Sequence, residues 1–72
     1  MGIKIKKNEV HVSLNHEIYS SDAINLAIKD YKDVCDVIKK EDYLVLTPKE
    51  EIELDQLGYE FSNYVLGLMK NY

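Results

Sequence analysis

Apolar positions recur at every second residue near the start of the chain. Ile3 and Ile5 alternate with Lys4 and Lys6, and beyond Asn8-Glu9 the residues Val10, Val12 and Leu14 alternate with His11 and Ser13. A period of two on both sides of a polar pair predicts a β-hairpin with one buried face, because successive strand side chains point to opposite sides. Its turn, Lys7-Asn8-Glu9, lacks the glycine that two-residue hairpin turns favour. The period then changes. Tyr19-Ser20-Ser21-Asp22 supplies a serine cap and an acid for a first helical turn, and with Ser20 as the cap Tyr19 and Ile24 occupy the two positions of a hydrophobic staple. Ala23, Ile24, Ala27, Ile28 and Tyr31 form one stripe with Asn25, Lys29 and Lys32 opposite, which predicts a helix ending near Lys32 or Asp33.

Two β-rich runs follow, Val34 to Lys39 and Tyr43 to Thr47, separated by Lys40-Glu41-Asp42. They read as a second hairpin, with Cys35 inside a strand as a small buried hydrophobe. Thr47-Pro48-Lys49-Glu50 matches a capping box with proline at the first helical position. From there Leu54, Leu57, Phe61, Tyr64, Val65, Leu68 and Tyr72 keep helical spacing. The start of this helix has an alternative, since Glu51-Ile52-Glu53-Leu54 also alternates and Asp55 would serve as a later cap. Gly58 lies within the apolar stripe, where a missing side chain permits close approach to a sheet, at a propensity cost of about 1 kcal/mol relative to alanine. The order strand, strand, helix, strand, strand, helix predicts an α+β two-layer sandwich: an antiparallel sheet of about four strands with both helices on one face, in a single domain over residues 1–72.

Composition narrows the function classes. Apolar residues make up 46% of the chain, enough for a folded core, although a chain of this size buries only about 60% of its unfolded surface. One cysteine cannot form an internal disulfide, which points to a reducing compartment. The opening residues alternate isoleucine with lysine where a signal peptide requires a continuous apolar stretch, and no run approaches the ~20 apolar residues of a membrane span. A cytoplasmic protein with no membrane partner is expected. Nine basic against thirteen acidic residues give a net charge of −4, which disfavours nucleic-acid binding, a function that draws on a basic field. Lys4, Lys6 and Lys7 remain as a local exception and read as a guard on an edge strand.

Candidate chemistry is sparse. His11, His16 and Cys35 are the residues from which a thiol–imidazole couple or a metal site would be drawn, but zinc sites show four ligands in tight pairs and these three are scattered. Gly2, Gly58 and Gly67 form no phosphate-cradling loop, so neither a metal nor a cofactor is expected. Glu50, Glu51, Glu53 and Asp55 read as solvated surface, with contact to a basic partner as the sharper alternative. Tyr59 stands off the main stripe of the last helix, about two turns from both Ile52 and Leu66, and the three form a second apolar line. The candidate partner-binding residues are therefore Val10, Val12 and Leu14, where a peptide would add to a strand, and Ile52, Tyr59 and Leu66. A homodimer or a structural subunit using the same line is the competing expectation, and a small enzyme built on Cys35 and a histidine is the third.

Ile18-Tyr19-Ser20, Ala23-Ile24, Ala27 and Tyr31, then Leu46-Thr47-Pro48, then Glu60-Phe61 with Asn63-Tyr64 and Leu66 also invite a family comparison. Together they resemble the small HxsD-like proteins of His-Xaa-Ser repeat peptide systems. Those proteins combine a strand leading into a Tyr-Ser, Ala, Ala pattern, a hairpin ending in proline, and a final helix with an acidic-aromatic-Asn signature. The resemblance covers roughly residues 10–68 and rests mainly on caps and core positions. It implies a non-catalytic accessory protein beside a radical-SAM maturase, holding the maturase or its precursor peptide. The chain contains no His-Xaa-Ser repeat of its own, which in such systems belongs to the substrate.

Overall fold

A computed structural model describes residues 2–13 and 19–70. Within them the chain forms β1 (Gly2–Lys6), β2 (Glu9–Ser13), α1 (Ser21–Asp30), β3 (Cys35–Lys39), β4 (Tyr43–Pro48) and α2 (Leu54–Met69). The expected ββαββα order holds. All four strands join one antiparallel sheet in the order β1-β2-β4-β3, so the two hairpins lie side by side and meet through β2 and β4. Leu14, His16 and Tyr72 lie outside the described residues.

The register sorts the side chains into two faces. Val10 pairs with Ile5 on one side and Leu46 on the other, and Leu46 continues the row to Val37; Val12 likewise pairs with Ile3 and Leu44. Strand residues alternate, so these rows and Cys35 share one face. That face packs with Ile24 and Ala27 of α1 and with Leu57, Phe61 and Val65 of α2 into a single core. The opposite face carries the row Lys4, His11, Val45 and Ile38.

The first helix starts as its sequence predicts. Ser20 is extended, and its Oγ accepts the Ala23 N–H at 3.4 Å, while Tyr19 and Ile24 are both buried as the staple requires. Its end comes earlier than the expected Lys32 or Asp33. The helix stops at Asp30, where Tyr31 leaves helical geometry and its carbonyl accepts the N–H groups of Val34 and Cys35 at 2.9 and 3.0 Å. The Tyr31 ring meets Phe61 edge-on at 5.2 Å and Tyr64 at 5.3 Å, which ties the end of α1 to α2.

The second helix corrects a stronger expectation. Thr47 and Pro48 cap nothing; they complete β4, opposite Asp36 and Cys35, and Lys49 N–H extends the association by donating to Val34 O at 2.9 Å. Strand pairing takes these residues, and proline is tolerated there because it ends the strand. Helix α2 begins at Leu54 after Glu53, whose side chain makes no capping bond. Asp55, the later cap considered from sequence, sits in the first turn and accepts the Gln56 N–H at 2.9 Å. Gly58 does what its place in the stripe predicts. A Cβ there would lie 2.8 Å from Val10 Cγ1 and 3.0 Å from Ile3 Cγ2, so α2 crosses the first hairpin at a distance open only to glycine.

Candidate functional site

Of the residues with chemical potential, Cys35 and His11 are kept apart by the sheet. Cys35 lies on the helix-covered face at 0% exposure, whereas His11 lies on the opposite face. Burial pushes the Cys35 thiol above its ordinary value, Asp36 adds to the shift, and Lys49 opposes it. A thiol held protonated is a poor nucleophile and a poor metal ligand. The His11 ring stacks on Tyr43 at 5.3 Å with 12° between planes, and its Nε2 lies 3.2 Å from Glu9 Oε1. Among the described residues no cluster of His, Cys, Asp and Glu side chains is placed to hold a metal ion.

The proposed partner-binding residues divide sharply. Val10 and Val12 are at 0% exposure in β2, which is paired on both sides by β1 and β4. An interior strand has no free backbone edge, so strand addition at these residues is corrected to the outer strands, β1 and β3. Ile52 also separates from its expected line. It precedes the helix and lies with Asn8 and the carboxylates Glu50, Glu51 and Glu53 along an open groove of ≈ 560 Å³, because the helical repeat starts only at Leu54.

Tyr59 and Leu66 do come together. They line a groove of ≈ 200 Å³ with Ile3, Ser62 and Asn63, between α2 and the outer strand β1. Tyr59 is 68% exposed and Leu66 40%, and Ile5, the next inward-facing position of β1, is 49% exposed. The geometry follows from Gly58: the helix descends onto β1 and β2 there, so its flank one turn on stands beside the edge instead of over it. Ser62 adds no unmet polarity, since its Oγ donates to Gly58 O at 2.8 Å. Along the other side of the same strand run Lys4 and Lys6, both exposed, opposite His11 and Glu9.

Sequence reasoning missed Ile5 as an exposed residue and Ile3 as a half-buried one at the rim of the core. Their alternation marks a buried face, and only the order of strands in the sheet reveals that this face runs out at β1. No helix among the described residues is long and apolar enough to cross a membrane. Comparison with protein-family models, with curated proteins and with solved structures gave no match to this chain.

Proposed function

We propose that this chain is a non-catalytic accessory module that binds a peptide or protein partner. The observation that carries the reading is the groove of Ile3, Tyr59 and Leu66 beside an outer strand, where a large aromatic side chain stands 68% exposed. Apolar clefts bordered by an unpaired strand suit an extended peptide, since backbone hydrogen bonds supply affinity and alternate side chains enter the cleft. Further support comes from Cys35 and His11, which face opposite sides of the sheet and share no pocket in which a thiol–imidazole couple would work. The setting in radical-SAM peptide modification rests on the resemblance of residues 10–68, and the partner it suggests is the precursor peptide or the maturase.

The test is a titration of the isotope-labelled chain with the leader segment of a precursor peptide encoded beside a radical-SAM maturase. Amide shifts at Ile3 to Lys6, Tyr59 and Leu66 are expected. Absence of any shift with both that leader and the purified maturase would remove the reading. The chemical alternative has its own check: a Cys35→Ala chain should support the modification undiminished, and its loss would return the thiol to the mechanism.

A further inference from the structure

The outer strand β1 has two unlike sides, and together they specify what it pairs with. On the helix side are Ile3 and Ile5, with the Tyr59–Leu66 groove beside them; on the other side are Lys4 and Lys6. Neither lysine is in an ion pair among the described residues. A strand laid against β1 must satisfy both sides at once. Its inward residues extend the apolar rows that end at Ile3 and Ile5, and its outward residues stand next to two cations.

Resting on the peptide-binding reading above, we infer that β1 accepts, as a fifth strand, an extended segment alternating apolar and acidic residues, with its apolar side chains seated against Tyr59 and Leu66. A second copy of this chain fits worse. In an antiparallel pair of two β1 strands, setting Ile3 against Ile5 sets Lys4 against Lys4, and setting Ile5 against Ile5 sets Lys4 against Lys6. Setting Ile3 against Ile3 avoids this but leaves a ladder only three residues long, Gly2 to Lys4. Like charges directly opposite destabilise a strand pair, whereas Lys against Glu stabilises it. The same lysines that discourage self-pairing therefore select an acidic partner.

The experiment uses two short synthetic peptides, one alternating valine with glutamate and one alternating valine with lysine, titrated into the isotope-labelled chain at low salt. The acidic peptide should shift the amides of Ile3 to Lys6 and of Tyr59 and Leu66, and should bind about tenfold more tightly than the basic one. In the double variant Lys4→Glu/Lys6→Glu, whose changes are confined to exposed side chains, the preference should reverse. Tyr59→Ala should weaken both peptides while leaving the dispersed spectrum of the folded chain intact. Equal affinity for the two peptides, no binding of either, or an unchanged preference in the double variant overturns the inference. Shifts confined to β3 overturn it too while leaving peptide binding itself standing. Dilution-dependent shifts along β1 without peptide overturn it in favour of a second copy.

Discussion

The two hairpins pair through equivalent inner strands, yet they are held in opposite ways. The first, β1 with β2, is pressed from one side by α2, which touches it where Gly58 faces Ile3 and Val10, and its outer strand makes no ion pair among the described residues. The second, β3 with β4, is braced by polar contacts: Lys39 Nζ donates to Asn25 Oδ1 at 3.3 Å, and Lys49 Nζ reaches Lys32 O at 2.7 Å and Asp36 Oδ1 at 3.5 Å. Its outer strand also starts with the fully buried Cys35. The contrast teaches where a partner has room. Both outer strands have a free edge, but β1 adds an apolar flank beside α2, whereas β3 is tied to α1 through Lys39 and Asn25 and has that polar contact already made.

The sharpest way to break this comparison is at Gly58. In Gly58→Val the new Cβ would lie 2.8 Å from Val10 Cγ1, an atom inside a packed core that has little room to retreat. Overpacking of this kind should cost about 3 kcal/mol in denaturant unfolding, well above the few tenths of a kcal/mol that the better helix propensity of valine over glycine returns. The groove beside β1 should open at the same time, visible as perturbed amides at Tyr59 and Leu66. A cost below about 1 kcal/mol would mean that α2 lifts off freely, and packing would no longer distinguish the first hairpin.

The corresponding test of the second hairpin is Cys35. Cys35→Ser buries a hydroxyl in an apolar site and should cost about 2 kcal/mol. The thiol also gives this hairpin a pH signature. Its folded value is raised above 9.0, so at alkaline pH the unfolded chain ionises while the folded chain holds its proton. The unfolded state then binds fewer protons and stability falls with rising pH: the contribution is complete below about pH 9 and is lost as pH climbs toward the folded value. Tyr31, raised by burial and by Glu60, adds a decline of the same sign above 10.0. In Cys35→Ala the earlier part of that decline should vanish, and an unchanged slope between pH 9 and 10 would show that the thiol is not desolvated.

Local signals carried most of this architecture. Ser20 with Tyr19 and Ile24 declared a helix start, alternation declared the first hairpin, two β-rich runs declared the second, and Gly58 declared a close crossing, each a matter of neighbouring residues. What failed was set by non-local pairing. Thr47-Pro48-Lys49-Glu50 has the composition of a helix start, but the register of β3 with β4 extends through Pro48 and takes it into the sheet. Val10 and Val12 looked available to a partner because the pattern fixes which face is apolar without fixing which strand lies outside. The same gap hid Ile3 and Ile5, whose pattern equals that of Val10 and Val12 and whose surroundings do not.

The smallest difference between the hairpins lies in their turns, and it has a sign that distinguishes them. Lys7 adopts φ 51°, and among the described residues no other non-glycine residue has positive φ, so the Glu41-Asp42 turn of the second hairpin carries no such strain. Left-handed backbone costs an L-residue about 1 kcal/mol, which glycine avoids, though glycine also adds freedom to the unfolded chain. Lys7→Gly should therefore stabilise the protein by about 0.5 kcal/mol, and Asp42→Gly should destabilise it by a similar amount, both read from the midpoint of denaturant unfolding. Shifts of the same sign would erase the distinction between the two turns. The Lys7 variant also separates stability from recognition, because it removes a cation at the tip of β1 and leaves Lys4 and Lys6 in place. A steadier hairpin with an undiminished preference for acidic strands would locate that preference in the two lysines of the strand itself.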